Sequence, residues 1–242
     1  MNFQEKGTLL FHRIRNGLLK ARLSNLARQV AQDRLTYLPP EKLIRIETYA
    51  RLATADDVPG NLLEFGVALG GSAIILAAQA ARRKRLFFGF DVFAMIPPPT
   101  SEKDDDKSRE RYRIIASGQS EGIGGDTYYG YRDNLIDDVR RSFAKYGLPI
   151  DGKSRFLCKG LFEETFPKYD GMVAFAHIDC DWYAPVSYCL NHISRRLSAG
   201  GVIVLDDYHD YGGARTATDE FVKQNPEFEL IAGPNVILRK RR

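Results

Sequence analysis

The sequence predicts an α/β fold: a doubly wound, mostly parallel sheet with a C-terminal antiparallel hairpin and extra N-terminal helices. Three observations predict it. Short β-rich runs alternate with longer segments of helical period. Several runs, such as "MVAFAHI" and "GVIVL", are apolar throughout, as strands covered on both faces are. Most runs end on glycine or acid, as in "EFGVALGGS", "GFDVF", "HIDCD" and "VLDDY", and open α/β sheets bind ligands beyond these strand ends.

The elements follow in order. Leu10, Ile14, Leu18, Leu19, Leu23, Leu26 and Val30 recur at helical spacing, with Arg13, Arg15, Lys20, Arg22 and Arg28 between them. Such a helix packs on its own domain or on a second subunit; a membrane-surface anchor is the alternative. After Pro39-Pro40, "PEKLIRIETYARLA" is a helix. "GNLLEFGVALGGSAIILAAQAARR" is strand, glycine-rich turn and helix, and "RLFFGFDVF" a second strand ending at Asp91. The stretch from about Ala94 to Tyr131, with "PPP", "KDDDK" and "GIGG", reads as a long irregular lid. Its acidic run Asp104 to Asp106 is expected at a solvated surface. "RDNLIDDVRRSFAKYG" is a helix closed by glycine. "SRFLCKG" and "MVAFAHIDC" are strands three and four, and "APVSYCLNHISRRLSAGG" the helix after them. "GVIVLDD" is strand five, "GGARTATDEFVKQN" a helix, and "FELIAGPNVILRK" a hairpin about Gly233-Pro234-Asn235. The expected organisation is one domain over residues 1–242, with N-terminal helices in 1–55 and a lid-like insertion over 94–131.

Composition narrows the function. The 242 residues are 44% hydrophobic and 27% charged, an ordinary globular balance. The formal charge of +4 is mild, and no basic stripe interleaved with aromatics points to nucleic acid. No apolar run reaches the ~20 residues of a membrane span. Cys158, Cys180 and Cys189 lack metal-ligand spacing and sit among apolar neighbours, so reduced thiols in a cytoplasmic protein are expected.

The chemistry lies at the strand ends. After strand one comes ExGxxxGxS, with Glu64, Gly66, Gly70 and Ser72, where a dinucleotide site would show GxGxxG. A carboxylate before the turn suits a ligand carrying positive charge better than a pyrophosphate. Asp91 ends strand two, where an acid accepts hydrogen bonds from ribose hydroxyls. After strand three, Gly160 permits close approach and Phe162 offers a face for a flat ring. Asp179 ends strand four, and Asp206 and Asp207 end strand five. These strands are expected side by side, so three carboxylates converge, at a high electrostatic cost unless a cation lies among them. Hard oxygen ligands favour Mg²⁺, Mn²⁺ or Ca²⁺. Aspartates that only cap turns are the plainer alternative. Asp181 is expected to cap the following helix, and His177 to hold a satisfied structural hydrogen bond.

Together, "PGNLLEFGVALGGSA", "GFDVF", "VRRSFAKYGL", "FLCKGLFEETFP", "HIDCDWY" and "GGVIVLDDY" resemble the macrocin O-methyltransferase family, from about Pro59 to Val222. The resemblance implies a class I, Rossmann-like methyltransferase fold, S-adenosylmethionine as donor and Mg²⁺, or else Mn²⁺, at the acceptor. The acceptor it implies is a hydroxyl of a sugar or glycosylated natural product. It also implies that Glu64, Gly66, Gly70 and Ser72 face the methionine part of the donor, that Asp91 takes the ribose, that Gly160 and Phe162 border the adenine, and that Asp179, Asp206 and Asp207 bind the metal. Asp179 thus touches both donor and metal sites. Residues 94–131 depart from the family pattern, so the acceptor itself does not carry over.

A neutral hydroxyl must lose its proton to become a good nucleophile. Catechol-type methyltransferases place a lysine three residues after the first metal aspartate; here that position is Trp182. Asp179 is therefore the first expected base and His209 the second. A catechol or phenol acceptor at the same site, a nicotinamide oxidoreductase and a non-catalytic interaction protein are the competing readings. The amphipathic N-terminus leads to the expectation of a homodimer using about Leu9 to Val30.

Overall fold

The computed structural model describes residues 19, 21–55 and 58–242. Leu10, Ile14 and Leu18 of the predicted amphipathic stripe lie outside the described residues, as do Arg13, Arg15 and Lys20. Further along, helix α1 (Asn25–Gln32) starts where the Ser24 hydroxyl accepts the Ala27 N–H at 3.0 Å. Its apolar face is turned inward: Ala27 and Val30, with Leu23 just before the helix, are buried in the chain's own core. Leu23 and Val30 are therefore unavailable to a partner subunit, contrary to the interface expected of them.

Helix α2 (Pro40–Ala55) begins on Pro40, whose fixed φ suits a first helical turn. Strand β1 (Asn61–Phe65) leads through the glycine turn to α3 (Gly71–Arg82), then β2 (Phe87–Asp91). The stretch predicted to be irregular holds an eleven-residue helix, α4 (Asp106–Ala116). Its acidic run is not solvated throughout. Asp105 caps α4 by accepting the Ser108 N–H and also accepts the Gly212 N–H, while Asp104 is buried and accepts the Tyr183 N–H at 2.8 Å. Two acids that look like surface thus tie the insertion to the body of the protein.

Helix α5 (Leu135–Lys145), β3 (Arg155–Lys159), the short α6 (Phe162–Thr165), β4 (Val173–Ile178) and α7 (Tyr183–Ile193) follow. Strand β5 (Leu197–Leu205) starts earlier than expected, replacing the end of the predicted helix. It does so because Leu197 pairs with Val173, and a register shift then brings Val202 opposite Phe175. Helix α8 (Gly212–Gln224) and the hairpin of β6 (Phe228–Ile231) and β7 (Val236–Lys240) close the chain.

Among the described residues, seven strands run in the order β3-β2-β1-β4-β5-β7-β6. The pairs β3–β2, β2–β1, β1–β4 and β4–β5 are parallel; β7 is antiparallel to both β5 and β6. Two apolar clusters cover the two faces. One packs α1, α2, α3 and α5 around Phe87 and Phe143, and the other packs α7 and α8 around Phe65 and Phe166. The strand order reverses between β1 and β4, and a crevice opens there beyond the strand ends. Among the described residues no helix is long and apolar enough to cross a membrane.

Candidate active site

The crevice is a cavity of about 780 Å³ over the carboxyl ends of β1, β2, β4 and β5. Each strand delivers its side chain by simple register. Ile178 of β4 lies opposite Leu205 of β5, so the next residues, Asp179 and Asp206, emerge side by side. Asp207 opens the single 3₁₀ turn that follows. Asp179, Asp206 and Asp207 each offer an oxygen within 4.8 Å of the others'. Sequence neighbours of two parallel strands thus become one acidic cluster.

Gly66 makes that approach possible. Its φ is +94°, and a Cβ there would lie 1.8 Å from the Asp179 carbonyl oxygen. Only glycine lets the chain leave β1 so close to the end of β4. Gly70, also at positive φ, caps α3, and Ser72 is buried in that helix's first turn. Neither forms part of the cavity wall, whereas Gly66 and Ala68 do.

Glu64 does not line the cavity. It is fully buried in β1 opposite His177 of β4, and its Oε1 lies 2.8 Å from His177 Nδ1. The expected structural hydrogen bond of His177 is present, but His177 Nε2 and Glu64 Oε2 are buried without partners. Asp91 does reach the cavity. Its carboxylate accepts the N–H groups of Val67 at 2.7 Å, Ala68 at 3.0 Å and Phe93 at 2.6 Å, fixing the glycine turn. Burial pushes its carboxyl up despite these donors. Phe162 lines the cavity with its ring edge-on to Phe65; Gly160, at a φ of +142°, does not.

His209 is not brought to the cavity. It is exposed, and its Nε2 lies 3.0 Å from the Gly233 carbonyl at the hairpin turn. Its sequence neighbours Asp206 and Asp207 face inward, but the 3₁₀ turn rotates His209 outward. Trp182, at the position where catechol-type enzymes carry lysine, is buried. Its indole donates to the Pro97 carbonyl at 2.9 Å and anchors the 94–131 segment over the site.

Three groups in the wall went unmarked or were misread in the sequence. Asp181 does not cap α7; Trp182 stands at that position, and the Tyr183 N–H goes to Asp104. Instead Asp181 adopts a φ of +60° and donates its own N–H to Asp207 Oδ2 at 2.9 Å. Its carboxyl faces the cavity, where burial and then Asp206 push it up to about 7. Lys42, from the first turn of α2, sits 2.8 Å from Asp206 Oδ2 and 2.8 Å from Asp210 Oδ2. Burial alone would lower its pKa, but Asp206 overrides this and holds the ammonium above its ordinary range. Arg111 of α4 also lines the cavity, over the Tyr128 ring.

The electrostatics follow from crowding. Burial, with the charges of Asp206, Asp207 and Asp181, raises Asp179 well above the carboxylate range; burial and Asp181 do the same to Asp207. Asp206 Oδ1 is buried without a hydrogen-bond partner. An orphan acceptor within a cluster of hard oxygens fits a small divalent cation.

Comparison with known proteins places the chain in a family. The family model described as Macrocin-O-methyltransferase (TylF) matches residues 12–230. The chain belongs to that family. It is accordingly a methyltransferase that acts at oxygen. One family relative is the mycinamicin III 3''-O-methyltransferase of Micromonospora griseorubida, 30% identical over 202 residues, which span 78% of this chain and 74% of that protein. Another is a tetracenomycin 4'-O-methyltransferase of Streptomyces olivaceus, acting on an 8-demethyl-8-(2,3-dimethoxy-alpha-L-rhamnosyl) compound. It is 27% identical over 195 residues, 74% of this chain and 68% of that protein. In fold, the chain resembles the O-methyltransferase NovP with a TM-score of 0.70 at 24% identity, covering 86% of this chain and 82% of that one.

Proposed function

We propose that this family member transfers a methyl group from S-adenosylmethionine to a sugar hydroxyl of a glycosylated natural product, with Mg²⁺ or Mn²⁺ held by Asp179, Asp206 and Asp207. The observation that carries the reading is the three-aspartate cluster, with its orphan Asp206 Oδ1, in the same cavity as Asp91. The relatives' names support a sugar acceptor. A cavity of about 780 Å³ is roomy enough for a donor and part of an acceptor together.

When bound, the donor supplies a methyl group on a sulfonium, and the cation supplies Lewis acidity that lowers the pKa of a coordinated hydroxyl. The chain's own residues do the rest. Asp91 accepts a ribose hydroxyl with the Oδ1 lone pair that its three backbone N–H donors leave free. Phe162 covers the adenine, and Gly66 lets the donor approach the end of β1. Glu64, sealed against His177, acts through β1 and β4 and does not touch the donor. The aspartates align the acceptor oxygen with the methyl group, which is a proximity contribution. Asp181 takes the hydroxyl proton in preference to Asp179, since a carboxylate sharing electron pairs with a cation is the weaker base. Lys42 and the aspartates form the floor, while Trp182 and Pro97 hold the 94–131 segment over it and keep water out.

Chelation is the test. Excess chelator is expected to abolish methyl transfer to a glycoside while donor binding by calorimetry stays within about threefold, and Mg²⁺ or Mn²⁺ restores turnover. Full activity in chelator would mean that the aspartates only shape turns. A panel of glycosides and catechols separates the sugar acceptor from a phenolic one.

A further inference from the structure

Lys42 is a buried cation already in contact with the acidic cluster. Its Nζ donates to Asp206 Oδ2 at 2.8 Å, to the Asp206 carbonyl at 3.1 Å and to Asp210 Oδ2 at 2.8 Å. The Lys42 and Asp206 side chains are 11% and 7% exposed, while Asp210 is 46% exposed. Lys42 therefore engages Asp206 through Oδ2 and leaves Oδ1, the buried atom without a partner. Asp207 is held in the same manner, since its Oδ2 accepts the Asp181 N–H at 2.9 Å.

We infer that Lys42, together with the Asp181 amide, limits Asp206 and Asp207 to one ligand oxygen each, and that Lys42 is thereby a positioning residue selecting small six-coordinate cations over Ca²⁺. This rests on the reading of the aspartates as a cation site. Ca²⁺ takes six to eight oxygens and often binds a carboxylate through both; Mg²⁺ takes a near-octahedral shell and keeps several waters. For Asp206 to turn both oxygens to a cation, Oδ2 must leave Lys42. The ammonium would then keep only the partly exposed Asp210 and a carbonyl, and a buried charge stripped of its main partner is strongly unfavourable. Lys42 also repels every cation alike, so it lowers overall affinity; selectivity appears in the ratio between ions.

The experiment is calorimetric titration of Mg²⁺, Mn²⁺ and Ca²⁺ into the full chain without donor, for wild type, Lys42→Met and Lys42→Arg. Wild type is expected to bind Ca²⁺ no more tightly than Mg²⁺. Lys42→Met should shift the ratio toward Ca²⁺ by about tenfold or more, and Lys42→Arg should restore it. A Mn²⁺-soaked crystal of wild type should show Asp206 bound through Oδ1 alone, with Oδ2 still on Lys42. This readout and the wild-type ratio decide the matter even if Lys42→Met fails to fold. A wild-type preference for Ca²⁺ of tenfold or more, an unchanged ratio in folded Lys42→Met, or a bidentate Asp206 would each overturn the inference while the cation site stands. Wild type that binds none of the three ions would instead overturn the cation reading, and this inference with it.

Discussion

Asp91 shows how one side chain serves structure and site together. Its three backbone donors hold the turn after β1, so truncating it does more than remove a ligand contact. Asp91→Ala is expected to weaken S-adenosylmethionine binding by about 10- to 100-fold, the value of one or two hydrogen bonds to a charged acceptor. Asp91→Asn should lose less, since an amide oxygen still accepts. Calorimetry on both variants checks the order, and equal affinity for wild type and Asp91→Ala would remove the ribose assignment. The two candidate bases separate in the same way. Asp181→Asn should lower kcat by about 10²- to 10⁴-fold with cation affinity little changed. Asp179→Asn should raise the Mg²⁺ concentration needed for half-maximal turnover as well. A full-rate Asp181→Asn variant would return the proton to Asp179. Lys42→Met carries a stability cost too: leaving Asp206 buried beside a methyl group should destabilise the fold by roughly 3 kcal/mol or more, measured by denaturant unfolding.

The instructive element is α4 with the loop before it. Asp105 is its N-cap and also a latch to α8 through the Gly212 N–H. Burial acts to raise the Asp105 carboxyl, but the Ser108 hydroxyl, the Ser108 N–H and the Gly212 N–H outweigh it and hold it below its ordinary value of 3.8. A carboxyl depressed in the folded state stabilises fully above its ordinary value. That stabilisation disappears as pH falls through the lower folded value. Asp105→Asn should therefore melt below wild type at pH 7, and the gap should narrow near pH 3; thermal unfolding at both pH values checks this. A gap that is constant with pH would mean that the cap works by shape alone. The same latch bears on the lid. With Asp104, Asp105 and Trp182 tied across to α7 and α8, hydrogen exchange in the donor-free protein should be slower over 104–116 than over 118–127, whose ties to the body are the exposed Arg34–Asp126 ion pair and the packing of half-buried Ile123. Uniformly fast exchange over both would show that the latch does not hold in solution.

At the scale of the whole molecule, the doubly wound sheet puts the four candidate aspartates on one rim. Asp91, Asp179, Asp206 and Asp207 come from three strands and one turn, yet all face one cavity because parallel strands end on the same side. We propose a closed homodimer, but one that does not use Leu23 or Val30, which are 4% and 0% exposed. Light scattering at micromolar concentration should give about twice the 27.3 kDa chain mass. A value near the chain mass would exclude the dimer.

The sequence by itself determined the order of the strands and of the helices other than α4 and α6, the strand-end acids and the glycine turn. Those are local facts: β-branched runs, helical period and the backbone freedom of glycine act over a few residues. It also placed Asp179, Asp206 and Asp207 together, because adjacent parallel strands end at one level once their pairing is known. Only the tertiary structure decided the rest. Lys42 lies 164 residues from Asp206 in the chain, and nothing in "PEKLIRIE" marks it as other than a solvated lysine. His209 and Asp181 exchanged expected places because a single 3₁₀ turn and one residue at positive φ set which way a side chain points. Asp104 and Asp105 looked like surface because their partners, the N–H groups of Tyr183 and Gly212, are backbone atoms of distant helices. Composition records a charge, but only packing shows which donor has come to meet it.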